Sequence, residues 1–365
     1  MKTTFLFIGF LFTALFGFAQ DSIRYHLSDF YLPIPSLDLK VNYVFDQMSD
    51  EQRVGQMIMP AAGKLGKPTA HVLRLAAEGK IGGAILLNGT KTEFIRLGKS
   101  FDSAAIANKH LPMMYSADAE LSLINMKIKE TQKVKYANKI RSISELATET
   151  IKICAELTQM GIGWNFAPVV DLSPNKTVSF RSFGLNKDTI IQFSSEFIRI
   201  SQEKDIVATA KHFPGHGYVV GDTHKQLVYI DGEMKEVEVY RPLIKQGVIS
   251  VMVGHIAVKN NPKYNTNDLP STVSRNIVTG LLREEMGFKG IVVTDAMGMG
   301  GVKSVPNCDL KAVRAGCDVI LMPVDEDKAY NEILAEVKKD EALKQQVYES
   351  VKRIIRLKIC LGLIR

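Results

Sequence analysis

The chain has 365 residues, 46% hydrophobic and 23% charged, with a formal net charge of +7 at pH 7. That balance excludes a disordered protein and supplies enough apolar chain for one large core or two smaller ones. The lysines are scattered rather than clustered, so the charge is not a nucleic-acid footprint; it favours an acidic surface or polymer as a neighbour.

Residues 1–19 carry Lys2, an apolar run from Phe5 to Phe18, and the small-residue pattern Gly17-Phe18-Ala19 before Gln20. This is the form of a cleaved secretory signal with its cut near Ala19. A spanning helix needs about 20 apolar residues, and this run is shorter. The expected mature protein is exported, periplasmic or extracellular, with no stable membrane insertion. No cysteine follows the run at once, which argues against a lipid-modified terminus. Cys154, Cys308, Cys317 and Cys360 lack metal-ligand spacing and read as buried thiols, although export would permit a bridge between Cys308 and Cys317.

Residues 20–45 read as an N-terminal extension and 46–365 as one domain. Short apolar, β-branched runs recur at 56–60, 83–87, 112–116, 163–170, 206–210, 250–254, 291–294 and 319–322. Amphipathic stretches alternate with them at 92–109, 139–160, 187–203, 235–247, 275–286 and 327–338, and 341–363 reads as a closing helix. Such alternation predicts a parallel sheet with crossover helices. Eight units in a chain of this length predict an α/β fold of the closed (β/α)8 barrel type, expected as a monomer.

Ionisable residues stand at five successive strand ends: Asp118, Asp171, Lys211 with His212, His255, and Asp295. In a barrel these ends share one face, where catalytic groups gather. Asp171 before Leu-Ser-Pro fits a turn anchor as well as a functional group. The densest stretch is Lys211-His212-Phe213-Pro214-Gly215-His216-Gly217, followed by Gly221-Asp222-Thr223-His224. Pro214 and the glycines forbid a helix there, so the polar groups are expected on an irregular loop after the fifth strand.

Asp295 closes the β-branched run Ile291-Val292-Val293-Thr294. A carboxylate at a buried strand tip is costly unless used or paired; its alternative is an N-cap. Asp222 two residues before His224 can hold the imidazole's tautomer while the ring moves a proton near neutral pH. A nucleophilic carboxylate facing such a pair suits retaining glycoside hydrolysis. A metal site built from His212, His216, Asp222 and His224 fits no helical zinc motif. A serine or cysteine hydrolase lacks its nucleophile elbow. No metal and no cofactor are expected.

With those residues in hand, the Lys211–Gly217 segment and Asp222-Thr223-His224 resemble the signature loop of family-3 glycoside hydrolases of the β-N-acetylglucosaminidase branch. Val292-Val293-Thr294-Asp295 resembles that family's nucleophile strand. Trp164 to Asp171, Phe180-Arg181-Ser182-Phe183-Gly184, Met252-Val253-Gly254-His255 and Leu282 to Gly290 fit in order, so the resemblance covers about residues 45–360. It implies a retaining exo-β-N-acetylglucosaminidase acting on amino-sugar glycans or peptidoglycan fragments. Asp295 would be the nucleophile and His224 the acid/base oriented by Asp222, a dyad in place of a second carboxylic acid. Asp118, Arg181, Lys211 and His212 would grip the sugar, with His255 lining the pocket.

One departure stands out. Where the family continues to a glycine and a sugar-binding arginine, this chain reads Asp118-Ala119-Glu120-Leu121-Ser122-Leu123-Ile124-Asn125-Met126. Met126 donates no hydrogen bond, so one substrate contact is expected to be missing. The alternatives are another family-3 β-glycosidase, a phosphorylase on the same scaffold, or a non-catalytic glycan-binding relative.

Overall fold

The computed structural model describes residues 23–172 and 174–365; the expected signal segment 1–19 lies outside the described residues. Eight strands run parallel in sequence order around a barrel. The first is split into Ile58–Met59 and Ala61–Ala62 around Pro60, which has no N–H for a ladder. Next come Gly83–Leu86, Met114–Ala117, Trp164–Asn165, Val207–Phe213, Ser250–Val253, Ile291–Thr294 and Ile320–Leu321. The ring closes because Ile58 and Met59 pair with Ile320 and Leu321, while Val293 bridges to Val319.

The fifth strand differs from the sequence expectation. It runs three residues past Ala210, through Lys211 and His212 to Phe213, where the irregular loop was expected to begin. Neighbours on both sides hold it in register: Val169 bridges to Lys211, and Phe213 pairs with Val253. Pro214 then ends the strand, so the lysine and first histidine project from a rigid edge. The fourth strand is correspondingly short, because Pro168 removes a donor before pairing resumes at Val169.

Helices Lys91–Ala107, Ile143–Gln159, Lys187–Glu203, Val237–Gln246, Asn276–Glu285 and Glu326–Val337 occupy the expected amphipathic stretches. Their starts are set by side chains: Thr90, Ser142, Asn186 and Asp325 each accept a backbone N–H from the first turn, worth about 1 kcal/mol apiece. Two small parallel ribbons were not anticipated. Val228–Asp231 pairs with Ile256–Lys259, and Gly89–Thr90 with Ile128–Lys129, both beyond the C-terminal strand ends.

The opposite pole is closed. The extension lays helix Pro35–Asp46 against the C-terminal helix Glu341–Cys360. Buried Lys358 donates to Gln56 Oε1, the Gly82 carbonyl and the Pro112 carbonyl at 2.6, 2.8 and 2.8 Å, tying the beginnings of three strands to that helix. Buried Asp318 accepts from Arg283 at 2.5 Å, Arg353 at 3.0 Å and the Val292 amide at 2.7 Å. All four cysteines are buried and unbridged.

Candidate active site

The C-terminal strand ends surround a cavity of about 280 Å³ lined by Asp118, Lys127, Arg181, Lys211, His212, His216, His224 and Asp295 among others. Seven of the eight expected site residues therefore lie at or beside one opening: six line it directly, and Asp222 is bonded to His224. His255 does not line it.

A relay of alternating charges makes the wall nearest the third strand. Glu120 accepts a two-pronged pair from Arg181, Nε at 2.8 Å and Nη2 at 2.7 Å, and the Lys211 ammonium lies 2.6 Å away. Lys211 also donates to Asp118 at 2.9 Å, and Asp118 accepts from Lys127 at 2.7 Å. Burial acts to raise both carboxyls, but the adjacent cations win: Glu120 is brought down to about 2 and Asp118 lies well below the carboxylate range. Conversely, burial acts against the Lys211 ammonium, and its two carboxylates keep it charged. The relay is a fixed array of charged donors and acceptors, the kind that suits a ligand rich in hydroxyls.

Two members of that relay were not singled out from the sequence. Glu120 sits two residues after Asp118, but its role depends on Arg181 and Lys211, partners distant in sequence. Lys127 bears on the expected missing contact: Met126 points to solvent at 45% exposure, and the ammonium of the next residue reaches Asp118. The short helix Ile124–Lys127 sets this offset. A cation thus stands in the cavity wall one position later than the family pattern places it.

The signature segment is pinned from beneath. Asp171 is buried and accepts from the His212 amide at 3.1 Å, His212 Nδ1 at 2.7 Å and the His216 amide at 2.8 Å. Asp171 is the turn anchor among its two sequence readings, and it fixes the His212 ring. Glu236, absent from the sequence reading, takes the amides of Leu172, Gly217 and Tyr218 at 2.7, 3.0 and 3.3 Å. Burial and the nearby Asp171 charge push its carboxyl up to about 8. Gly217 is required here: a Cβ would lie 1.5 Å from the Leu172 carbonyl oxygen.

Asp295 follows the seventh strand, its amide donating to the Val253 carbonyl at 2.9 Å and its Oδ1 accepting from Ala296 N–H at 2.8 Å. Burial works to raise its pKa, but His212, the Ala296 amide and Lys211 together hold it below the usual value, so it is ionised at neutral pH. His224 has a 61% exposed side chain, and its Nδ1 donates to Asp222 Oδ1 at 2.7 Å. That bond leaves Nε2 as the ring's available nitrogen. Burial acts to raise Asp222, yet its bonds to His224 keep it below the carboxylate norm. The loop carrying Asp222 and His224 is joined to the turn after Asp295 by two backbone bonds, Gly300 N–H to the His224 carbonyl at 2.9 Å and Gly301 N–H to the Thr223 carbonyl at 3.0 Å.

Among the described residues, no cluster of three or more His, Cys, Asp or Glu is arranged to hold a metal ion. None of their helices is long and apolar enough to cross a membrane.

Comparison with known proteins agrees with the barrel fold. A model of the glycosyl hydrolase family 3 N-terminal domain matches residues 49–357. The chain is similar to a beta-N-acetylglucosaminidase/beta-glucosidase of Cellulomonas fimi, 30% identical over 314 residues, which cover 78% of this chain and 53% of that protein. A beta-hexosaminidase of Vibrio cholerae serotype O1 is 34% identical over 218 residues, covering 56% of this chain and 64% of the relative. Among solved structures, a family 3 beta-N-acetylglucosaminidase from Paenibacillus sp. str. FPU-7 superimposes with a TM-score of 0.79 at 27% identity, over 87% of this chain and 63% of that one. The chain spans between about half and two thirds of the length of these relatives.

Proposed function

This chain belongs to glycosyl hydrolase family 3, and on that premise we propose that it is a retaining exo-β-N-acetylglucosaminidase releasing terminal N-acetylglucosamine from amino-sugar glycans or cell-wall fragments. The observation that carries the reading is the shared cavity: an ionised Asp295 and the exposed ring of His224 line one opening whose other wall includes Asp118, Lys211 and Arg181, the last two paired to Glu120. The relatives from Cellulomonas fimi and Vibrio cholerae, a beta-N-acetylglucosaminidase/beta-glucosidase and a beta-hexosaminidase, support the same substrate class.

In the proposed reaction the relay and His212 hold the sugar hydroxyls. Asp295 attacks the anomeric carbon while His224 Nε2–H protonates the departing glycosidic oxygen, and the C–O bond breaks as the Asp295–sugar ester forms. His224, now neutral, takes a proton from water, which attacks the same carbon and frees Asp295. Asp222 supports both halves: its carboxylate fixes Nδ1–H and stabilises the imidazolium. Lys127 supplies the cation that Met126 does not, bound to the same carboxylate, Asp118, that receives Lys211.

A chromogenic N-acetylglucosaminide tests the proposal. The wild type releases the chromophore and Asp295→Ala does not; release by both, or by neither, rejects it. A phosphorylase would yield glycosyl phosphate when phosphate is added, whereas the hydrolase yields free sugar with or without it. We also infer export after cleavage near Ala19, for which cell fractionation should find the mature chain outside the cytoplasm.

A further inference from the structure

His255 follows the sixth strand, is fully buried, and lies outside the cavity lining. Both of its ring nitrogens are nevertheless engaged by groups that shape the cavity. Nε2 is 3.0 Å from the Ala296 carbonyl oxygen, which can only accept, so Nε2 carries the proton. Nδ1 is 2.7 Å from Thr272 Oγ1, whose hydroxyl also lies 3.0 Å from the Gly254 carbonyl oxygen. Burial holds the imidazole's pKa below its ordinary value, consistent with a neutral ring.

The two ends of this arrangement are the two ends of the proposed chemistry. Ala296 is the residue whose N–H binds Asp295 Oδ1 at 2.8 Å. On its other side, His255 abuts Gly301, where a side chain's Cβ would come within 2.9 Å of the histidine Cβ. Gly301 and Gly300 are the residues whose amides hold the Thr223 and His224 carbonyls. One buried histidine therefore holds the nucleophile's backbone through its ring and lies, through its Cβ and main chain, against the turn that latches the acid/base loop.

We propose that His255 is a positioning residue: by donating to the Ala296 carbonyl, it fixes the aim of the Asp295 carboxylate and, through the Gly300–Gly301 turn that follows, its spacing from His224. The inference rests on the reading of Asp295 and His224 given above. It assigns His255 no contact with sugar, so its loss acts on turnover and leaves binding in place. A misplacement of about 1 Å in a reacting group is enough to cost on the order of 100-fold in rate.

The test compares His255→Leu, which removes the donor, with His255→Gln, which keeps an amide N–H at similar reach, using a chromogenic N-acetylglucosaminide and thermal unfolding. His255→Leu is expected to lower kcat by about 100-fold with KM within about twofold of wild type, and His255→Gln to recover at least a tenth of the wild-type kcat. Thr272→Val, which removes the hydroxyl that orients the ring, should show the same kcat-selective loss at smaller size and serves if the leucine variant does not fold. Folded variants with wild-type kcat, or a loss confined to KM, overturn the proposal. So does a glutamine variant as slow as the leucine one at equal thermal stability. A wild type without turnover would defeat the functional reading and this inference together; an active wild type with an inactive Asp295→Ala and unaffected His255 variants would defeat the inference alone.

Discussion

The two poles of the barrel both bury charge, and they do it differently. At the closed pole, Asp318 is surrounded by Arg283, Arg353 and a backbone amide, and Lys358 by three oxygens, with each group consumed by strands and helices it ties together. At the open pole, Lys211, Arg181 and Asp118, paired with one another or with Glu120, are equally well partnered but face a cavity, and beside them, among the described residues, the Asp295 carboxylate makes no ion pair with a lysine or arginine. Buried ion pairs at one end hold the fold, and at the other they leave a charge available for chemistry. The difference lies in what the pairs border, since burial costs are similar at both ends.

Mutations at each pole should separate these roles. The largest effect belongs to Asp295→Ala, expected to lower kcat by about 10,000-fold or more while thermal stability stays near wild type, measured by chromophore release and calorimetry. At the closed pole the converse holds: Asp318→Asn leaves two arginines without their anion and should cost about 3 to 5 kcal/mol of stability with kcat per folded molecule unchanged, as denaturant titration paired with activity would show. His224→Ala should lower kcat by about 100- to 10,000-fold and remove one limb of the pH–rate profile; an unchanged profile would take His224 out of the mechanism. Lys127→Met deletes one charged donor on Asp118 and should reduce kcat/KM by an amount equivalent to about 1.5 to 3 kcal/mol.

The relay also predicts a pH dependence of stability. Glu120 has its folded pKa depressed from the ordinary 4.5 to about 2, so the unfolded chain binds the proton more readily. Its contribution is fully present above pH 4.5 and is lost as pH falls toward 2. Glu120→Gln should therefore lose stability at neutral pH and show a shallower decline across that acid window, read from melting temperatures at several pH values.

How much of this the sequence discloses depends on whether the cause is local. The seventh strand, Ile291–Thr294, is found where its β-branched run places it, and the helices follow their apolar spacing closely. Asp295, His224 and Asp222 are legible because strand tips and close-set polar motifs are local signals. The extension of the fifth strand through Phe213 is not, because Pro214 and two glycines dominate the local pattern while the pairing comes from Val169 and Val253. Glu236 and Glu120 act through partners far along the chain, so nothing beside them marks their roles. Lys127 was hidden by one residue of offset: Met126 occupies the expected position, and only the turn of the short helix brings the next side chain to Asp118. His255 shows the reverse case, since its position after a strand suggests a pocket residue and its bonds place it behind the wall.

The most direct test of the central claim is to incubate the protein with a 5-fluoro N-acetylglucosaminyl fluoride and map the trapped adduct by mass spectrometry. Attachment of one sugar to the peptide containing Asp295, absent in Asp295→Asn, is the predicted result. An adduct on another residue, or turnover of the chromogenic substrate with no covalent intermediate on Asp295, would contradict the account.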